Sequence, residues 1–167
     1  MLPPDRRFAL IRAVRIASEM ATSDDVKAFR RHFPPGCRFA HSYGCSEVGN
    51  VAQHIIGVDD PVAEGRLPVG RTADDLTLAI VDDDGRQLPD GEIGTVVITG
   101  RHLAAGYWRE PALTAERFSD TPGQPGMRSF RAGDLGRINA RGGLELVGRS
   151  DAQVKIRGHR VELTEIE

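Results

Sequence analysis

The sequence is short of several things, and each shortage removes a class of function. It has only 2 cysteines, Cys37 and Cys45, at a spacing that makes neither CxxC nor any other metal-ligand pattern. A disulfide framework is therefore not expected, and buried or free thiols suit a reducing compartment. The 5 histidines contain no HxH or HxxxH pair, so His41, His54, His102 and His159 read as ordinary polar or partly buried residues. Neither sign of charge dominates: 22 Lys and Arg against 24 Asp and Glu leave a net charge of -2. Such a balance gives no electrostatic case for nucleic acid or an anionic membrane as partner. No apolar run approaches the roughly 20 residues of a membrane span. Arg12 interrupts the apolar stretch of MLPPDRRFALIRAV, so no secretory signal core is present. A soluble, cytoplasmic chain is expected. GxxxxGK[ST] and GxSxG are both missing, which speaks against a P-loop and against a self-contained hydrolase built on Ser46 or Cys45.

What is there suffices for a core. Hydrophobic residues make up 40% and charged residues 28% of 167 residues, within the range of one compact domain. The stretch 13–17 (AVRIA) reads as a short buried strand. TSDDVKAFRRHFPPG reads as a helix: Thr22 caps it, Asp24 and Asp25 suit its positive end, and Val26, Phe29 and Phe33 share one face. Pro34 and Pro35 stop it. A second strand is expected over 37–43, running into GCSEVGN as a loop. Further on, strands are expected over 76–81, 95–99, 128–131, 137–139 and 144–147, with turns at Asp84-Gly85 and Asp90-Gly91. A short helix with Pro111 in its first turn spans 110–118. A hairpin around Gly158 follows, over 153–156 and 160–163. Asp82, Asp83 and Asp84 read as a solvated turn, and Tyr107 and Trp108 as packing residues.

The expected fold class is α+β: an incomplete α/β sheet piece, then a distorted β-barrel-like subdomain, then a stub of a small C-terminal domain. The divisions fall at 1–58, 59–150 and 151–167. The first sheet shows only two strands. The last four residues, Thr164 to Glu167, carry a capping-box signature with no helix after it. Both ends therefore read as cut.

Three segments carry chemistry: HSYGCSEVGN (41–50), FRAGDLGRINARGGLELVGR (130–149) and GRSDAQVKIRGHRVELTEIE (148–167). With PVGR, GEIGTVVITG and AAGYWREPALTAERF between them, the ordered set resembles the adenylate-forming ligase superfamily. Its peptide-synthetase-type adenylation domains are the nearest branch, and acyl-CoA synthetases and luciferases are others. The resemblance implies that ATP activates a carboxylic acid, by preference an amino acid, to an acyl-adenylate. A carrier-protein phosphopantetheine or coenzyme A thiol then takes the acyl group.

The residues agree with that implication. Tyr43 offers a flat ring for a purine, Gly44 lets backbone approach closely, and Ser46 supplies a hydroxyl for a phosphate oxygen. Glu47 is a hard carboxylate of the kind Mg²⁺ takes alongside phosphate and water. Asp134 has two acceptor oxygens for the two ribose hydroxyls of ATP or AMP. Arg149 presents a planar fork to the nucleotide. By resemblance Asp151 is the hinge and Lys155 the lysine of the thiolation step. Taken alone, YGCSE is a polar turn, Asp134 a turn residue, Arg149 a surface ion pair and Lys155 an exposed strand lysine. The order of the motifs is what favours the functional reading.

His41, Cys45 and Ala132 depart from the commonest family pattern. The Ser/Thr/Gly-rich phosphate loop ending in Lys and the lysine that completes adenylation are not in this sequence. Of the acid-selecting walls, only residues around Ala17–Met20 and Val48–Gln53 are candidates. The chain is thus expected to be a fragment, inactive by itself and completed by the rest of an adenylation domain. The alternative is a non-catalytic nucleotide-binding or interaction module derived from that fold.

Overall fold

In the computed structural model, residues 3, 5–17, 19–151, 153–156 and 159–162 are described, with the side chains of 154–156, 159, 160 and 162 left aside. The capping-box residues Thr164 and Glu167 and the turn at Gly158 lie outside the described residues, as does the side chain of Lys155.

The chain opens with strand β1 (Ala13–Ile16), helix α1 (Ser23–His32) and strand β2 (Arg38–Cys45), and β1 and β2 pair in parallel. A parallel pair needs a crossover, and α1 supplies it. The helix begins where the sequence says it should. The Thr22 side chain accepts from the Asp25 amide, and Asp25 Oδ2 accepts from the Thr22 amide at 2.8 Å. Asp24 and Asp25 sit in the first turn and Arg30, Arg31 and His32 in the last, both favourable to the helix dipole. Val26 and Phe29 turn inward onto Ala21, Cys37, Phe39, Ile56 and Leu67, a first core whose Phe29 and Phe39 rings lie 5.5 Å apart.

Strand β2 then turns back into β3 (Gly49–Ile56), and β4 (Arg71–Thr72) adds a short edge, giving a four-stranded sheet in the order β1-β2-β3-β4. The expectation of two strands and a GCSEVGN loop is corrected here. The loop is a hairpin tip, and Gly49–Ile56 is a full strand whose polar Asn50, Gln53 and His54 disguise its half-buried character. The tip is tight: a Cβ on Gly44 would lie 2.2 Å from the Gly49 carbonyl oxygen. The close approach at Gly44 is thus made by the chain's own backbone.

The second sheet holds β5 (Leu76–Val81), β6 (Gly94–Gly100), β7 (Phe118–Asp120), β8 (Arg128–Ile138) and β9 (Leu144–Arg149), with α2 (Pro111–Arg117) leading into β7. The order is β5-β6-β8-β7, and β9 also pairs with β8. This sheet is open, a distorted piece rather than a closed barrel. The two expected strands at 128–131 and 137–139 are one strand of 11 residues, because the Gly133 turn is a bulge within β8. Thr95 faces Leu135 and Val97 faces Arg131, so three residues of β8, Ala132 to Asp134, stand opposite Val96 alone. Gly133 takes φ +72, the left-handed region that favours glycine.

The two sheets share a second core. Tyr43, Val51 and Ala52 from the first, with Val69 from the segment before β4, meet Ile80, Val96, Ile98, Phe118, Phe130, Ala132 and Leu144 from the second. They are also joined by backbone: Val69 donates to the Leu144 carbonyl and Leu144 to the Gly70 carbonyl. Strands β10 (Gln153–Ile156) and β11 (His159–Glu162) form a separate antiparallel pair. Among the described residues, no helix is long and apolar enough to cross a membrane.

Candidate functional site

A cleft of about 350 Å³ opens where the end of β1, the middle of β2 and the end of β9 converge. Its chemistry is concentrated at one end. The β8 bulge directs Asp134 to the cleft, where Oδ2 accepts from the Tyr43 hydroxyl at 2.5 Å and Oδ1 accepts from Arg149 Nη1 at 2.7 Å. The rest of the Arg149 fork faces Asp151, with Nε to Oδ1 at 2.7 Å and Nη2 to Oδ2 at 2.8 Å. Arg117, from the end of α2, adds a second cation 3.5 Å from Asp151 Oδ2.

The backbone fixes this geometry. The Ser150 amide and hydroxyl both donate to the Gly133 carbonyl, at 2.9 and 3.1 Å, tying the chain after β9 to the bulge. Side-chain exposures of 13% for Asp134, 18% for Arg149 and 20% for Asp151 place the cluster between core and solvent. Attraction there is stronger than on an open surface, while a ligand can still arrive.

The titration shifts have named causes. Burial raises the Tyr43 phenol well above its ordinary value, and the Asp134 charge and hydrogen bond push the same way. Burial works against ionised Asp151, yet the Arg149 hydrogen bonds and charge outweigh it and hold that carboxyl below the usual range. Burial likewise opposes the Arg149 cation, and Asp151 and Asp134 outweigh it, so its pKa is raised. Arg149 thus faces two carboxylates, one of which it shares with Arg117. The arrangement suits hydroxyl donors, which Asp134 can accept on its remaining lone pairs, better than a bare anion at Arg149.

Four of the expected site residues, Tyr43, Asp134, Arg149 and Asp151, therefore meet in one hydrogen-bonded cluster. Gly44, Ser46 and Glu47 are not part of the cleft lining. Ser46 is exposed at the hairpin tip. Glu47 turns inward and is only 5% exposed: Oε1 accepts from the Tyr107 hydroxyl at 2.8 Å, and its carbonyl accepts from the Ala104 amide at 2.8 Å. Tyr107 packs edge-on to Phe118, as a packing residue should. Trp108 does not pack; it is 85% exposed with Arg109 over its ring.

Among the described residues, no group of three or more His, Cys, Asp or Glu could hold a metal ion. Glu47 offers Mg²⁺ a single carboxylate that is already bonded to Tyr107 and outside the cleft lining, so every other ligand would have to come from phosphate and water. Of the candidate acid-selecting walls, Ala17, Glu19 and Met20 line the cleft, and none of 48–53 does. His41 also lines it but is structurally spoken for. It is 1% exposed, its Nε2 accepts from the Ala21 amide at 3.3 Å, its Nδ1 faces the Pro68 carbonyl at 3.1 Å, and burial lowers its pKa.

Sequence reasoning missed Arg117 and Gln153. Gln153, the first residue of β10, is 5% exposed and lines the cleft, with its backbone N–H donating to Asp151 Oδ1 at 3.3 Å. Its place two residues beyond Asp151 was the available signal; nothing in the sequence singles out Arg117 among the chain's arginines.

Comparison with known proteins identifies the family and the fold. Residues 3–108 match the family model for AMP-binding enzymes. Tyrocidine synthase 1 of Brevibacillus parabrevis is 41% identical over 130 residues, covering 78% of this chain and 12% of that protein. Among solved structures, holo-PA1221, described as an NRPS protein containing adenylation and PCP domains bound to a vinylsulfonamide inhibitor, superposes with a TM-score of 0.82 at 28% identity. It covers 93% of this chain and 27% of that one. The Vibrio cholerae adenylation domain AlmE, solved with glycyl-adenosine-5'-phosphate, gives a TM-score of 0.77 at 27% identity, covering 93% and 29%. The chain belongs to the AMP-binding enzyme family, and it is similar in sequence to peptide synthetases and in structure to solved adenylation domains. It spans 2% to 12% of the length of the curated relatives it matches.

Proposed function

We propose that this chain supplies the nucleotide-holding part of an adenylation enzyme. The enzyme joins a carboxylic acid, by preference an amino acid, to ATP, giving an acyl-adenylate and pyrophosphate. A thiol on a carrier-protein phosphopantetheine or coenzyme A then takes the acyl group and releases AMP. The observation that carries the reading is Asp134, held at the cleft by Tyr43 and Arg149 with lone pairs left for two adjacent hydroxyls. Family membership supports it, and the AlmE and PA1221 descriptions supply the adenylate and the carrier domain by analogy.

On this reading Asp134 accepts the ribose hydroxyls, Arg149 orients Asp134, and Tyr43 serves the nucleotide through its hydroxyl on Asp134, its ring being buried in the core. Residues 1–58 carry the YGCSE motif, 59–150 the β-rich subdomain, and 151–167 the start of a further domain with Asp151 as hinge. Lys155, on β10, serves the thiolation step. Gly44 and Ser46 shape the hairpin tip on the phosphate side, and Glu47 would give Mg²⁺ its one protein carboxylate, the ion supplying charge neutralisation to the phosphates. The partners are the rest of an adenylation domain, a carrier-protein domain and a small carboxylic acid, in the cytoplasm.

Titration calorimetry of the 167-residue chain with AMP tests the reading. AMP should bind, and Asp134→Ala should weaken it by about tenfold or more, since a hydrogen bond to a charged group is worth roughly 1.5–3 kcal/mol. A folded chain that ignores AMP, or binds it equally well after the substitution, would refute it. Pyrophosphate exchange by the chain alone should be absent, because adenylyl transfer draws on several positioned groups at once.

A further inference from the structure

The hairpin of β10 and β11 forms its own sheet, yet its first residue is buried in the cleft wall. Gln153 is 5% exposed and lines the same cleft as Tyr43, Asp134 and Arg149. What brings it there is visible. Its backbone N–H donates to Asp151 Oδ1, and Asp151 is gripped by two parallel hydrogen bonds from Arg149 with Arg117 behind. One residue earlier, Ser150 is fastened twice to the Gly133 carbonyl. The space is also closed: a Cβ on Gly133 would lie 2.3 Å from Asp151 Oδ2, 2.9 Å from Arg117 Nη1 and 3.1 Å from Arg149 Nη2.

We propose that Gln153 is a ligand-contacting residue of the cleft, supplied by the β10–β11 hairpin, and that the Arg149–Asp151 pair, backed by Arg117, positions it. This rests on the reading that the cleft takes a nucleotide. A neutral side-chain amide offers one acceptor and two donors, which suits the polar edge of a sugar or base beside a carboxylate that already takes the hydroxyl protons. Arg149 is the shared element. It holds Asp134 with Nη1 and Asp151 with Nε and Nη2, so a ligand that reorients Asp134 acts on the fork that sets Gln153. Asp151 and Arg117 are positioning residues here, because neither lines the cleft.

The test is a double-mutant cycle read by calorimetry with AMP on the whole chain. Gln153→Ala should weaken AMP about fivefold, the size of one hydrogen bond. Asp151→Asn should weaken AMP by a similar factor in the wild-type background and have little further effect when Gln153 is already alanine. A purely structural role for Asp151 would give the same loss in both backgrounds and would overturn the positioning claim. Undiminished AMP affinity in Gln153→Ala would overturn the contact. Both failures differ from failure of the nucleotide reading itself, which would show as no AMP binding by the folded wild type. Hydrogen exchange gives an independent readout: AMP should slow exchange at 150–154 in the wild type, and no change there would count against the proposal. Arg117→Gln is the milder variant, reporting on the same coupling should Asp151→Asn disturb folding.

Discussion

The Tyr43 hydroxyl donates to Asp134 Oδ2 across 2.5 Å, joining residues 91 apart in sequence and the first sheet to the second. The Tyr43 ring is 3% exposed in the shared core, so a polar tip reaches the cleft from an apolar base. Tyr43→Phe removes only the donor. It should cost about 1–2 kcal/mol in a urea titration, as expected for a partly buried hydrogen bond to a carboxylate. The same environment predicts that Tyr43 stays protonated near pH 10, where an ordinary tyrosine is half ionised. Phenolate absorbance in a Tyr107→Phe background would show this, and ordinary titration there would contradict it.

Gly133→Ala tests the bulge. The residue has φ +72, costing roughly 1–2 kcal/mol for any L side chain, and the new methyl would press on the Asp151 carboxylate. Gly85→Ala is the control, since Gly85 also has positive φ but has nothing within 4 Å of an added Cβ. Chemical denaturation should show the larger loss at 133. Equal losses would mean that the packing around Asp151 yields freely.

Burial pushes the Cys45 thiol up to about 12, and the Glu47 charge adds to it. Since the thiolate is the nucleophile, Cys45 in the folded chain should resist alkylation near pH 9. Mass spectrometry after iodoacetamide should find it unmodified in buffer and modified in urea. Rapid modification of native protein would place the thiol in a different environment.

Acid should act on the chain in two stages. His41 has a lowered pKa in the fold, so below its unfolded value of about 6.5 the unfolded chain binds the proton first and stability falls with pH. Asp151 is also depressed. Its contribution is present above the unfolded value of about 3.9 and is lost as pH falls through the folded one. Thermal melts should show a first decline below about pH 6.5 that His41→Asn removes. Unchanged stability from pH 7 to 5 would contradict the first stage.

Local signals in this sequence are legible, and long-range ones less so. The Thr22 capping box, the β5 strand and the proline start of α2 are local, set by residues a few positions apart, and each appears where expected. β3 was hidden because only half of it is buried, so its polar residues mimic a loop. β8 was split because a bulge and a turn both ask for glycine at 133, and only the pairing with β6 tells them apart. At the site, the residue types at 43, 134, 149 and 151 were legible, but their assembly depends on contacts across 91 and 15 positions. Gln153 and Arg117 enter only through that assembly.

The β8 detour carries one more implication. From Arg131 to Leu135 the strand advances four residues while its partner advances two, from Val97 to Thr95. The surplus is even. Side chains alternate with a period of two, so the strand rejoins the ladder in phase, and inside and outside are not exchanged beyond it. Length changes at this point are therefore quantised. A pair of residues can be added or removed with the far half of β8 keeping its inner face, whereas a single one would turn that half over and bring Arg137, now exposed, to the face that Gly136 and Ile138 occupy.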